Sequence, residues 1–324
     1  MPKLNFCIVT AAIIGILFGA PYATAASFPD KPVKIVAPTT PGGGLDLLAR
    51  ILSPHLSEKW GQPVVVDDRP GAGGILGSDF VARSAPDGYT LLVVTTGFSN
   101  NPFLYKTIPY KTPDAFAPIT IIATNPNVLV VSTNAPFKSV KEMVDLAKKS
   151  PESISFGSSG VGTGGHLVVS LLQAMTGTKL THIPYKGAGA SITGVVSGEV
   201  QLLATAIGPV LPYIQSKSVI PIAVTGPKRS RALPDVPYYE ELGIKSLDHD
   251  AWQGLFAPAG TPPDIIDKIY KDVVAVLKIP SVASQLDALG YDVDPIPPAD
   301  FATYLKDDIV HAGESVKAAG IKPE

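Results

Sequence analysis

The strongest constraint in this sequence is an alternation, made twice over, of short apolar runs with segments of helical period. From residue 33, VKIVAP reads as a strand and LDLLARILSPHLSEKW as a helix. PVVVDD follows as a second strand, ILGSDFVARSA as a second helix and TLLVVTT as a third strand. Apolar runs of this length between helices indicate βαβ units, with a parallel sheet covered on both faces. The alternation restarts with the helix SVKEMVDLAKKS. It continues through SISFGSS, GGHLVVSLLQAMTG, LTHIPY, SITGVVSGE, VQLLATA, PVLPYIQS and IPIAVT, strand and helix in turn. Two doubly wound α/β lobes are therefore expected. APITIIATNPNVLVVS crosses into the second lobe and IPIAVTGPKRS leads back out. The helical tail, PPDIIDKIYKDVVAVLK and ADFATYLKDDIVHAGESVKAAG, is assigned to the first. The expected division is 27–123 plus 228–324 for one lobe and 124–227 for the other, with a hinge of two crossing strands and a cleft between the lobes.

The first residues stand outside this pattern. Lys3, the apolar run FCIVTAAIIGILFGA and the small residues Ala23 and Ala25 have the layout of a secretory signal over 1–26. The run is shorter than the ~20 residues of a membrane span. Cys7, the one cysteine, would leave with it, so no disulfide or cysteine metal site is expected. Dropping Lys3 from the 26 basic residues leaves 25 against 28 acidic, a net charge of −3. With no basic block, nucleic acid is a poor partner. His55, His249 and His311 are scattered, and no metal or cofactor is expected.

Three strand-to-helix turns are rich in glycine: TTPGGGLD, RPGAGGILG and GSSGVGTGGH. None has the Lys-Ser/Thr ending of a phosphate-binding loop. The third contains G-x-G-x-x-G at Gly160, Gly162 and Gly165, but no Asp or Glu lies between Glu152 and Glu199, where a dinucleotide site needs one. In the first turn Leu47 holds the third glycine position. RPGAGGILG is equally well read as a tight packing turn. The other two follow the first strand of each lobe. With strand order 2-1-3, the ligand crevice lies beyond the first and third strands. It is then lined by TTPGGGLD and TTGFSNN in one lobe, and by SSGVGTGGH and ATAIG in the other. These loops carry Gly, Ser, Thr and Asn, and only Asp46 and His166 titrate. Helix N-termini with bare backbone N–H groups favour an anion. Two of them facing one cleft can hold a carboxylate without an arginine.

At these residues the chain resembles the extracytoplasmic solute receptors of tripartite tricarboxylate transporters, the TctC or Bug-like family. The resemblance runs through FPDKPVKIVAP with GGGLDLLAR, GQPVVVDDRPGAGGILG, DGYTLL, SFGSSGVGTGGHL, HIPYKG, RSRALPDVPYYEELG, WQGLFAPAGTP and YLKDDI. It implies an α/β type II periplasmic binding fold that closes on a small organic mono- or dicarboxylate. It further implies a periplasmic monomer that delivers the acid to a membrane permease. The implied ligand positions are Thr39, Thr40, Gly42, Gly43, Gly44 and Asp46 in the first turn. Ser158, Ser159, Gly162, Thr163, Gly164 and His166 form their counterpart, and Thr95, Ser99, Asn100 and Thr205 line the pocket further. Two positions depart from the family pattern: Asp68 stands where Asn is usual, and Ala115 where Asp is usual.

Asp46, just inside its helix, can cap the turn or meet a ligand donor. His166 can orient its loop or touch the ligand. His182, Tyr185 and Trp252 read as wall or packing. An enzyme is the first rival, but there is no G-x-S-x-G, H-E-x-x-H or catalytic cysteine. A pairing of Ser158 or Ser159 with His166 lacks an orienting acid. The second rival, a carboxylate sensor feeding a signalling partner, would capture its ligand by the same physics.

Overall fold

The computed structural model describes residues 28–185, 187–244, 247 and 251–323; the signal segment 1–26 and His249 lie outside the described residues. The chain orders its elements as β1 (Val33–Ala37), α1 (Gly44–Trp60), β2 (Val64–Asp68), α2 (Ile75–Ala82), β3 (Thr90–Thr95), α3 (Gly97–Leu104), β4 (Phe116–Asn125) and β5 (Asn127–Ser132). Then come α4 (Val140–Lys149), β6 (Ser155–Ser158), α5 (Gly164–Thr176), β7 (Thr181–Pro184), α6 (Ala188–Ser197), β8 (Leu202–Ala206), α7 (Ile207–Gln215) and β9 (Val219–Val224). β10 (Ala251–Pro258), α8 (Pro263–Leu277), α9 (Pro280–Ala288) and α10 (Pro298–Ala318) complete it.

The strands form two five-stranded sheets of the same plan, ordered β2-β1-β3-β10-β4 and β7-β6-β8-β5-β9. In each, three parallel strands run in 2-1-3 order. A fourth strand, β10 or β5, lies antiparallel between the third and an edge strand. The edge strand of each sheet leads into the antiparallel strand of the other. Pro126 alone separates β4 from β5, and Thr225 follows β9 on the way back to β10. The crossings are tied together: Asn127 N donates to Thr225 Oγ1 at 2.8 Å, and Thr225 N donates to Asn127 O at 2.9 Å.

The helices cover both faces of each sheet because the strands are apolar on both. In β1, Val33, Ile35 and Ala37 pack toward α1, α8 and α9, while Val36 faces the core under α2, α3 and α10. Leu48, Leu52 and Leu56, one helical turn apart, form the buried stripe of α1. Two indole N–H groups fix helices to this framework: Trp60 Nε1 donates to Asp272 Oδ2 of α8 at 2.7 Å, and Trp252 Nε1 to Asp308 Oδ2 of α10 at 2.9 Å. Trp252 is thus fully buried packing with a satisfied donor.

Three segments depart from the reading of the sequence: β10 and α9 form where it gives neither strand nor helix, and the third bears on the site. TTGFSNN reads as a loop but forms the end of β3 and the start of α3. Phe98 drives this, since burying it between Phe116 and Phe256 outweighs the turn-like composition around it. Ser99 and Asn100 accordingly occupy the first turn of a helix.

Candidate functional site

The two glycine turns that open α1 and α5 are built alike. Gly42 and Gly162 both have positive φ, 80° and 77°. That left-handed conformation is open to glycine at little cost. It aims each N–H back at the side chain four residues on. Gly42 N donates to Asp46 Oδ2 at 2.8 Å, and Gly162 N donates to His166 Nδ1 at 3.0 Å. Both partners are buried, and both act as latches that hold the turn over its own helix. The shared G-x-G-x-Asp and G-x-G-x-His spacing is the sequence signal for this contact.

The residues between are left exposing backbone. Neither N-cap, Gly43 nor Thr163, caps its helix through a side chain, and Thr163 Oγ1 instead donates to Gly160 O at 2.8 Å. The next turns along follow suit: Thr96 before α3 and Ala206 before α7 make no side-chain cap. Among the described α-helices only α4 has a side-chain cap, Ser139 Oγ accepting from Glu142 N, and α2, α6, α8, α9 and α10 lack one as well. What sets α1 and α5 apart is the glycine turn before each, which leaves uncapped first-turn donors, the groups that attract an anion, without a bulky side chain over them.

The charges nearest the first turn are already paired. Asp46 forms an ion pair with Arg50, whose Nη2 also reaches Asp68 Oδ2 at 3.0 Å. Burial, and next the adjacent Asp46 carboxylate, raise the Asp68 pKa against the pull of Arg50. Asp68 thus sits on the Arg50 that balances Asp46.

In the second turn the imidazoles stack. His166 and His182 lie nearly parallel with centroids 4.0 Å apart, and Phe156 stacks with both, 4.7 Å from His182 and 6.2 Å from His166. Ser158, fully buried, pairs with His182 Nε2 at 2.7 Å, not with His166. Its hydroxyl also exchanges contacts with Gly160 N and O. Of the serine–histidine pairings considered for an enzyme, Ser158 thus meets His182 rather than His166.

Burial, reinforced by the neighbouring His182, lowers the His166 pKa to about 4. The His182 pKa is lowered as well, by burial. The neutral His166 accepts at Nδ1, so its proton resides on Nε2. Between pH 6.5 and 4 the unfolded chain takes up a proton at this histidine that the native chain refuses. Stability is thus highest above pH 6.5 and falls as the medium is acidified toward pH 4. From pH 7 to 5 the expected loss is on the order of 1 kcal/mol, or ~2–4 °C in Tm. His166→Gln should flatten that slope in thermal melts. An unchanged slope would remove His166 as its source.

Loop residues from the two sheets approach each other. Asn100 and Thr96 share a small cavity of about 30 Å³ with Asn127, Gly164 and Leu167, room for about one water. A methyl group on Gly162 would come within 3.3 Å of Leu104 at the end of α3. Ser99 is buried and its Oγ has no hydrogen-bond partner among the described residues. Thr39 and Gly43 are half-buried, and Thr40, Gly42 and Gly44 are exposed. Thr95 ends β3, Ser159 sits half-buried beside Ser158, and Thr205 is buried in β8 opposite Val128. Two neighbours were illegible in the sequence. Tyr291 OH lies 3.5 Å from Gly44 O, and Asn127 lies against Gly164; both meet the turns only through the fold.

A family described as the tripartite tricarboxylate transporter family receptor matches residues 48–321. The solved structure of periplasmic binding protein BugD is 33% identical, with a TM-score of 0.74 over 92% of this chain and 100% of that one. Rpa4515 of R. palustris, solved with adipate, is 32% identical with a TM-score of 0.77, again over 92% and 100%. MatC (Rpa3494) of Rhodopseudomonas palustris, solved with bound malate, is 28% identical with a TM-score of 0.73 over 89% and 100%. The α/β architecture of two sheets flanked by helices is shared with these periplasmic binding structures.

Proposed function

The chain belongs to the tripartite tricarboxylate transporter receptor family, and from that premise we propose that it captures a small organic mono- or dicarboxylate in the periplasm and hands it to the membrane permease of such a transporter. The observation that carries this reading is the matched pair of turns at Gly42–Asp46 and Gly162–His166, each presenting helix N-terminal donors without a side-chain cap. Adipate in Rpa4515 and malate in MatC support a carboxylate as the guest.

Binding follows from the electrostatics of the turns. The first-turn amides of α1 and α5 donate to the carboxylate oxygens, and Ser, Thr and Asn around them add donors. Hydrogen bonds to a charged group contribute about 1.5–3 kcal/mol each. Four or five suffice for the roughly 8 kcal/mol of micromolar affinity, before ordering costs. Arg50 balances Asp46, so the aspartate latch does not repel the guest. The lobes 27–123 plus 228–324 and 124–227 close over the acid by bending at Pro126 and beyond Thr225. The neutral His166 and the engaged Ser158 favour capture over turnover. Residues 1–26 direct export and are removed, and the remainder acts as a monomer without cofactor.

A thermal-shift panel of aliphatic, hydroxy, amino and aromatic carboxylates against residues 27–324 tests this. An acid at about 100 times its Kd stabilises by ~2.7 kcal/mol, which is a rise of about 5 °C or more. A panel in which no acid moves the melting curve would sink the proposal.

A further inference from the structure

The end of the sheet that carries the first turn holds two buried amides whose oxygens lack a hydrogen-bond partner among the described residues. Gln253 is 5% exposed and Asn125 9% exposed, and neither Gln253 Oε1 nor Asn125 Oδ1 has a hydrogen-bond partner among the described residues. Their placement follows from strand register. Gln253 of β10 lies opposite Thr95, the last residue of β3, and Leu255 lies opposite Val93. Side chains two apart share a sheet face. Leu255 and Val93 belong to the core under α1, α8 and α9, together with Tyr291. Gln253 and Thr95 therefore continue that same face to the edge of the sheet where α1 begins. One rung further on, Asn125 of β4 lies opposite Ala251, on the same side again. Tyr291, whose OH reaches Gly44 O, links this end of the sheet to the carboxylate turn.

A buried amide without a partner is unfavourable, and native proteins rarely keep one without a reason. Two on one rung-to-rung patch, next to a turn of uncapped donors, mark a place where the missing partner comes from outside the chain. Resting on the carboxylate reading above, we infer that the acid carries a hydrogen-bonding substituent, a hydroxyl or an amine, and that Gln253 selects it. A bare alkyl chain held against these amides would leave them unpaired, whereas a hydroxyl or amine pairs with them. A site built to hydrogen-bond a substituent discriminates strongly against the analogue that lacks it.

The test is calorimetric titration of residues 27–324 with matched acids: succinate against malate and aspartate, glutarate against 2-hydroxyglutarate, propionate against lactate. The wild type is expected to favour the substituted member of at least one set by ~10–100-fold. In Gln253→Met, similar in size and without an amide, the preference should fall to within about threefold while the unsubstituted acid still binds. Asn125→Leu provides a second variant with the same expectation in weaker form. Equal wild-type affinities within every set, or a preference that survives Gln253→Met, would overturn the selection by Gln253 and leave carboxylate capture standing. Binding of none of these acids by a folded wild type would overturn the selection by Gln253, and carboxylate capture falls with it only if the wider thermal-shift panel is silent as well.

Discussion

Gly43→Val is expected to weaken carboxylate binding at least ~100-fold, equivalent to about 2.7 kcal/mol, while leaving Tm within about 2 °C of the wild type. The backbone of Gly43 is extended, φ −71° and ψ 161°, so a side chain there meets no torsional objection. The objection is steric. A Cβ at this position would overlap Thr39 Oγ1 and lie 3.0 Å from Thr40 O. Valine must push Thr39 and Thr40 aside and re-aim the Gly44 and Leu45 amides that follow. Two misdirected hydrogen bonds to a charged group account for the expected loss. The fully buried part of α1 begins at Leu48, with Leu45 only packed against the rim of the core, so the lobe should still fold. Calorimetry alongside a melting curve separates the two effects. Retained affinity would remove the first turn from the site.

Gly165→Val should act in the opposite sense, through stability first. Gly165 is where α5 lies directly on β8: a Cβ would collide with Ala204 O and come within 2.8 Å of Ala204 C. Both partners are backbone, in the middle of a sheet flanked by Val168, Val169 and Leu172, so neither can rotate away. The helix must lift off the strand. Overpacking of this kind costs ~3 kcal/mol or more, which is a fall of about 6 °C or more in Tm, and the displaced α5 should lose its anion-binding end with it. A variant that melts like the wild type would show that α5 has room the geometry denies it. The neighbouring Gly164 has nothing nearer than Asn127 at 3.6 Å, so Gly164→Ala serves as a control for stability.

These two glycines differ in how much the sequence says about them. That both turns are glycine-rich is visible at once, and a parallel sheet follows from apolar strands between helices, whereas its 2-1-3 order is a premise that the structure bears out. The common latch, glycine to the side chain four residues on, is also legible once the two turns are aligned, because it is local. What divides the glycines is not local. Gly43 is constrained by Thr39 within its own turn, whereas Gly165 is constrained by Ala204 on another strand, and only the packed sheet reveals the second. The same holds for Tyr291 over Gly44, 247 positions apart, and for Gln253 beside Thr95. Strand register decides such pairs, and no periodicity in a single chain encodes register. α3 was illegible for a different reason: Gly, Ser, Asn and Pro around Phe98 read as a turn, and one buried aromatic overrides them.

Carboxylate capture by the paired turns stands most directly on where the guest comes to rest. A crystal structure of residues 27–324 with the tightest acid from the thermal-shift panel decides it. The carboxylate is expected between the two turns, its oxygens about 2.7–3.1 Å from the first-turn amides of α1 at Gly44 and Leu45 and of α5 at Gly164 and Gly165. A carboxylate held elsewhere, by side-chain cations or away from either helix N-terminus, would contradict it.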